Sequence, residues 1–249
     1  MLKYIFLGLV QGLTEFLPVS SSGHLVLLQR ILEMNRHRLF DIIFLHLATA
    51  LALAVFFFGD IVKAVRNPKT VFQILIVTFI TGLIAILGKD YFAGLFSSVG
   101  AVALSLLITG IILICTRGFL KYSRGIKDIN LKDVLILGLS QGIAVIPGIS
   151  RSGITISALL FRKIDRDSAF KFSFLAAIPA IFGAFILGAR ELDFNLSLIS
   201  LELIAGFVSA FISGLFSLYV LRVILKQAKF FYFGYYCILV SVLSWVFLK

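Results

Sequence analysis

Glu15, Ser21, His24 and Arg151 are residue types that move protons, attack electrophiles and bind anions, and each stands in or beside a stretch dominated by Leu, Ile, Val and Phe. Gln11 precedes Glu15 by four residues, so a helix carries the amide and the carboxylate on one face. The carboxylate can orient water or take a proton from a hydroxyl, whereas the amide of Gln11 only hydrogen-bonds. Just beyond lies Ser20-Ser21-Ser22-Gly23-His24, and far along the chain comes Ser150-Arg151-Ser152-Gly153. Serines are good helix N-caps and leave free amides at a positive helix end, which is an anion site. A planar guanidinium and several hydroxyls suit phosphate better than a cation. Histidine is the side chain that ordinarily changes charge near neutrality, so His24 could act as acid, base or phosphate donor, or equally as a structural hydrogen bonder beside the serines. His46 is a secondary candidate, with a satisfied interior histidine as the alternative.

The elements that must hold these residues are set by composition. The chain has 249 residues, 60% hydrophobic and 14% charged, with 26 Phe. Mean hydropathy is +1.09. Soluble domains run at about 45–50% apolar and about 25% charged, so a polytopic helical membrane protein is expected. The net charge of +11 reads as the basic bias of cytoplasmic loops rather than as nucleic-acid binding. Cys115 and Cys237 lie in apolar runs without metal or disulfide spacing. The N-terminal apolar stretch is interrupted by Gln11, Gly12 and Glu15 and lacks a small-residue cleavage site, so it is expected to stay in the mature chain.

Six stretches suffice, or nearly so, to cross about 30 Å of hydrocarbon: Leu39 to Phe58, Thr70 to Leu87, Ser97 to Cys115, Ala169 to Leu187, Leu201 to Leu221 and Phe230 to Leu248. Two more are short and broken. Tyr4 to Leu17 stops at Pro18 and the serines before Leu25 to Leu32, and Val134 to Ile146 stops at Pro147-Gly148 before Ile154 to Phe161. At a constant offset of 130, Gly8, Leu9, Gln11, Gly12, Ser20, Ser22 and Gly23 match Gly138, Leu139, Gln141, Gly142, Ser150, Ser152 and Gly153. This indicates an internal duplication, approximately 1–116 and 131–249, within one integral membrane domain spanning 1–249.

If each broken segment dips in and returns, three spans separate the dips and the second repeat is inverted. The loops 59–69, 116–132, 162–171 and 222–229 hold fifteen Lys and Arg, and the opposite ends hold seven: Lys3, Arg30, Arg36, Arg38, Lys89, Arg190 and Lys249. Positive-inside bias makes the first set cytoplasmic. The first break then enters from outside and the second from inside, so that both meet near the midplane. Irregular backbone at that depth must line a protein-walled or watery cavity. A charge at the centre of a span costs about 2.5–3.5 kcal/mol on insertion scales, so Glu15 and Arg151 are functional candidates, with a buried structural ion pair as the alternative.

Gln11-Gly12-Leu13-Thr14-Glu15-Phe16-Leu17-Pro18-Val19-Ser20-Ser21-Ser22-Gly23-His24 and Pro147-Gly148-Ile149-Ser150-Arg151-Ser152-Gly153-Ile154-Thr155 resemble the two signatures of the undecaprenyl diphosphate phosphatase family, also called the bacitracin resistance protein family. The resemblance covers essentially the whole chain. It places the [E/Q]xxxE signature on Gln11 and Glu15, the serine cluster on Ser20 and Ser21, and the histidine on His24. The PGxSRSxxT signature falls on Pro147, Gly148, Ser150, Arg151, Ser152 and Thr155. The first acidic position is Gln11 here, leaving Glu15 as the one carboxylate of the motif.

The resemblance implies an enzyme of the bacterial cytoplasmic membrane that removes the terminal phosphate of undecaprenyl diphosphate on the outer face, recycling the lipid carrier for peptidoglycan synthesis. It implies catalytic roles for Glu15, Ser21, His24 and Arg151, and substrate contacts from Gln11, Ser20, Ser22, Ser150, Ser152 and Thr155. A polyprenyl diphosphate and membrane lipid are the expected partners, with no nucleic acid and no oligomeric state assigned. Stimulation by a divalent cation, Mg or Ca, is implied without a ligand set. A covalent phosphoserine and direct attack by water both remain open. Inverted repeats with broken helices also suit a transporter or flippase of polyprenyl phosphate lipids.

Overall fold

The computed structural model describes residues 1–31, 39–96, 98–118, 122–191 and 199–248. Arg36, Arg38, Ser97, Lys121, Lys249 and the end of the Leu25 to Leu32 stretch lie outside them. The described residues form twelve α-helices: α1 Leu2–Phe16, α2 Ser21–Ile31, α3 Leu39–Phe56, α4 Phe58–Val65, α5 Pro68–Leu87, α6 Lys89–Leu95, α7 Val99–Cys115, α8 Leu131–Ile143, α9 Arg151–Phe161, α10 Arg166–Glu191, α11 Leu201–Lys226 and α12 Tyr232–Phe247. Local chemistry sets several starts. Asn67 caps α5 just before Pro68, a residue suited to the first helical turn. Asn130 and Asp133 form a capping box at α8, and Ser200 caps α11.

Among the described residues, four helical segments are long and apolar enough to cross a membrane: Pro68–Leu87, Val99–Gly118, Arg166–Gly188 and Leu201–Lys226. The expected span from Leu39 to Phe58 is not a straight rod, because α3 and α4 meet at Phe57 with a bend of 72° and together make a fifth candidate. The last expected span is the 16-residue α12, about 24 Å of helix at 1.5 Å per residue. Outward-facing Phe72, Phe79, Ile108, Ile212, Phe216 and Val246 are exposed, as suits lipid-facing surfaces.

Small residues let the helices approach closely, the usual packing device where lipid is as apolar as the side chains. α1 lies along α11, with Gly8 and Gly12 against Gly206, Ala210 and Ser213. α8 lies along α5 in the same manner, with Gly138 and Gly142 against Ile80 and Ile84. α7 and α12 pair through Gly110 and Gly234. The core beneath the breaks is aromatic. Phe16, Phe57 and Phe170 each have their ring centroid 5.1–5.7 Å from that of Phe174, and all four side chains are fully buried.

At the basic end of the bundle, fully buried Asp133 binds Arg124 and Arg162. Its carboxylate also accepts the Asn130 amide at 2.9 Å. This cluster ties the 122–128 segment to the start of α8 and the end of α9.

Candidate functional site

Each break is built so that a helix stops, turns and restarts. α1 ends at Phe16, and Leu17 turns extended ahead of Pro18, which disfavours helix at the residue before it. Ser20 takes the left-handed conformation at φ 68°, a sparsely populated region for a non-glycine residue. Its hydroxyl accepts the Gly23 amide at 3.3 Å and caps α2. In the second break Gly148 has φ 94°, and a Cβ there would lie 2.5 Å from the Val102 carbonyl oxygen, so both conformation and space require glycine. Ser150 caps α9 by accepting the Gly153 amide at 3.2 Å. Thr109 of α7 pins this turn, donating to the Gly148 carbonyl at 3.0 Å and accepting the Ser150 amide at 3.1 Å. The breaks touch, since a Cβ on Gly23 would sit 3.2 Å from Gly148 Cα and one on Gly153 3.4 Å from Pro18 Cβ.

Across that contact the charged candidates meet. Glu15 Oε1 accepts from Arg151 Nη2 at 3.0 Å. Glu15 Oε2 accepts the Ser21 hydroxyl at 2.6 Å and Gln11 Nε2 at 3.1 Å. The Glu15 and Arg151 side chains are only 10% and 15% exposed. The Arg151 guanidinium lies over the Phe174 ring, 5.6 Å from its centroid. Arg151 Nη1 is buried without a hydrogen-bond partner, and so is Gln11 Oε1. A buried unsatisfied donor is costly, the more so on a charged group, and it marks where an anionic oxygen would be held most strongly.

The remaining sequence candidates divide by environment. Ser20 and Ser22 approach each other at 3.2 Å between hydroxyls, and Ser150 and Ser152 at 3.3 Å. Ser21 and Ser22 are partly exposed, whereas Ser150 and Ser152 are buried. Thr155 is fully buried. Its hydroxyl donates to the Arg151 carbonyl at 2.6 Å and meets Ser173 at 2.7 Å, holding α9 against α10 directly behind the arginine.

The two histidines are held in defined tautomers, because a carbonyl oxygen can only accept. His24 Nδ1 donates to the Ser20 carbonyl at 2.8 Å, which leaves Nε2 to accept the Tyr236 hydroxyl at 2.7 Å. The two rings stack with centroids 5.7 Å apart. His46 Nδ1 donates to the Ile42 carbonyl at 2.9 Å, and its Nε2 lies 3.7 Å from Glu15 Oε2. Tyr236 is the residue that sequence reasoning missed. It is one of seven tyrosines in an apolar helix, and nothing local marks it as the partner of a histidine 212 positions away.

Glu15 is the one carboxylate of the cluster and both of its oxygens are engaged. Among the described residues no group of three or more His, Cys, Asp or Glu could hold a metal ion. What the cluster does form is a hydroxyl hydrogen-bonded to a carboxylate, beside a half-satisfied guanidinium at the start of a helix.

The sequence profile described as Bacitracin resistance protein BacA matches residues 4–243. The protein named undecaprenyl-diphosphatase from Halothermothrix orenii is 43% identical over 250 aligned positions, covering 97% of this chain and 95% of that protein. The undecaprenyl-diphosphatase of Thermotoga petrophila is 37% identical, covering 97% of this chain and 98% of its own length. That of Treponema denticola is 40% identical, covering 94% and 92%.

Proposed function

The chain belongs to the Bacitracin resistance protein BacA family, and from that premise we propose how its site works. It is a membrane phosphatase that hydrolyses undecaprenyl diphosphate to undecaprenyl phosphate and inorganic phosphate, the activity that its relatives' names carry. This recycles the lipid carrier for peptidoglycan synthesis and accounts for bacitracin resistance.

The observation that carries the mechanism is the 2.6 Å hydrogen bond from the Ser21 hydroxyl to Glu15 Oε2, the nucleophile-to-base contact of covalent catalysis. Ser21 Oγ attacks the terminal phosphorus while its proton passes to Glu15. The bond from phosphorus to the bridging oxygen breaks, and undecaprenyl phosphate leaves with the electron pair. Once Glu15 has released that first proton to solvent, water attacks the phosphoserine with Glu15 as the base, and the proton taken from water passes on to the Ser21 oxygen as inorganic phosphate departs. Arg151 holds the transferring phosphoryl through its unspent Nη1, the electrostatic task that dominates phosphoryl transfer. Gln11 fixes Glu15 from the preceding turn. Ser22 and the amide ends of α2 and α9 line the diphosphate path, Ser20, Ser150 and Ser152 shape the caps, and Thr155 positions Arg151. His24, oriented by its Nδ1–H on the Ser20 carbonyl, contacts the phosphate rather than Ser21, and it does so in the protonated form, in which Nε2 turns from accepting the Tyr236 hydroxyl to donating.

The proposed topology has six spans and two re-entrant helix pairs, α1/α2 and α8/α9, in inverted repeats. Supporting it, α2 and α9 both have eleven residues and start 130 positions apart, and α1 packs on α11 while α8 packs on α5. With the basic loops inside, the Ser21 break opens outward from the cytoplasmic membrane, where the polyprenyl tail stays in lipid. The test is phosphate release from undecaprenyl diphosphate by purified protein in detergent, where transport is impossible. Wild-type protein is expected to turn over and to give an acid-stable phosphoserine on Ser21, and Ser21→Ala is expected to abolish both. Full activity in Ser21→Ala eliminates the covalent route, and an inactive, folded wild type moves the reading to a transporter.

A further inference from the structure

We propose that His46 is the proton acceptor that returns Glu15 to its carboxylate form during turnover. The inference deepens the phosphatase reading above and rests on it. After Ser21 has given its proton to Glu15, the carboxyl is spent as a base, yet a base is needed again for the water that opens the phosphoserine. Among the described residues, four polar side chains reach Glu15: Gln11, Ser21, Arg151 and His46. Gln11 has no titratable proton, Ser21 is now esterified, and Arg151 keeps its charge. His46 is the fourth, with Nε2 3.7 Å from Glu15 Oε2.

The ring is set for this transfer. Its Nδ1–H is committed to the Ile42 carbonyl at 2.9 Å, so in the neutral ring the lone pair sits on Nε2, the nitrogen that faces Glu15. The separation exceeds a hydrogen bond by about 1 Å, a looseness common in catalytic contacts before substrate arrives. The imidazole is 35% exposed whereas Glu15 is 10% exposed, so a proton taken from the buried carboxyl reaches the more open of the two groups. The step balances: the Glu15 O–H breaks, an N–H forms on His46 Nε2, and the imidazolium loses that proton to water. Glu15 then takes a proton from the attacking water and delivers it to the departing Ser21 oxygen. His46 acts through Glu15 and is therefore a positioning and relay residue.

The experiment uses full-length protein in detergent with undecaprenyl diphosphate, comparing wild type, His46→Gln and His46→Ala. Glutamine keeps the polarity and an N–H for the Ile42 carbonyl but takes no proton. Expected are a fall in kcat of about 10²-fold, the lower end for a lost acid–base group, a KM within about threefold, and accumulation of phosphoserine on Ser21 in the steady state. Added imidazole is expected to restore His46→Ala saturably and to clear the phosphoserine. A His46→Gln enzyme within twofold of wild type overturns the proposal, as does a slowed His46→Ala enzyme that imidazole leaves unchanged. Failure of the wild type to release any phosphate overturns the phosphatase reading itself, a result that no His46 variant can produce.

Discussion

Arg151 Nη2 donates to Glu15 Oε1 across 3.0 Å although 136 positions separate the two residues along the chain. The contact closes the gap between the break after α1 and the break before α9, and it leaves each charge compensated at a depth where water is scarce. Only half of the guanidinium is used. A pair kept solely for packing would be expected to satisfy both terminal nitrogens, since a buried ion pair repays its desolvation only when its remaining donors are bonded. Nη1 is instead buried and unpartnered, the observation on which the proposed assignment of the pair to ligand binding rests.

Arg151→Lys tests that assignment. An ammonium can still neutralise Glu15, but it is a point charge and cannot hold one oxygen of Glu15 and one of the phosphoryl in a fixed fork. The expected loss in kcat/KM is roughly 10²–10³-fold, the range for removing one preorganised donor from a transition-state site, with the folded state retained. Phosphate release near the wild-type rate would return the pair to a structural role.

Gly12→Ala should inactivate the enzyme from outside the reacting groups. A Cβ at residue 12 would stand 2.0 Å from Ser213 Oγ and 2.4 Å from the Ala210 carbonyl oxygen, and backbone cannot swing aside. α1 must therefore lift from α11, taking Glu15 with it, and displacements of about 1 Å can cost about 10²-fold. Gly82→Ala is the control, because a Cβ there meets nothing within 4 Å. Phosphate release and thermal unfolding in detergent should separate the two variants, with Gly82→Ala as stable as wild type or slightly more so.

The sequence makes the site legible where it violates its own composition. Glu15 and Arg151 stand out because charge is expensive in an apolar run, and the serine breaks stand out because Pro18 and Pro147 interrupt helices too short to span. The 72° turn between α3 and α4 has no such signature: Phe56, Phe57 and Phe58 run through it, and hydropathy sees one uninterrupted stretch. Tyr236, and the nearness of the secondary candidate His46 to Glu15, are hidden for another reason. Both depend on which helix comes to lie beside α2 or α1, and that long-range pairing rests on glycine contacts whose partners no local pattern names.

Tyr236→Phe should slow the enzyme mildly. The substitution keeps the ring stacked on His24 and removes only the hydroxyl that holds Nε2, worth about 1 kcal/mol for a typical hydrogen bond, or about fivefold in rate. The thermal midpoint should stay near the wild-type value, because Tyr236 is 43% exposed. His24→Ala, which removes the phosphate contact as well, should lose considerably more. Equal losses in the two variants would show that the hydroxyl, not the imidazole, does the chemistry.

Asp133→Asn probes the opposite, basic end, where the side chain lies in the first turn of α8 outside the spanning segments. Burial alone would raise the Asp133 carboxyl, but hydrogen bonds from Arg124, the Asn130 amide and Arg162 outweigh it and hold the group below its ordinary range. A carboxyl depressed in the folded state contributes stability that is fully present above its unfolded value and is lost as pH falls through the folded one. Wild-type stability should therefore hold from neutrality to about pH 4, the unfolded value, and this contribution should fade below it. Breaking a buried pair costs about 3–5 kcal/mol when a charge is stranded, but here both arginines are partly exposed and rehydrate, so roughly 2–3 kcal/mol is expected at neutral pH. Thermal unfolding of the two proteins across pH 3–8 should give curves that differ most near neutrality and converge toward the acid end. A constant offset at every pH would mean that the cluster acts through packing alone.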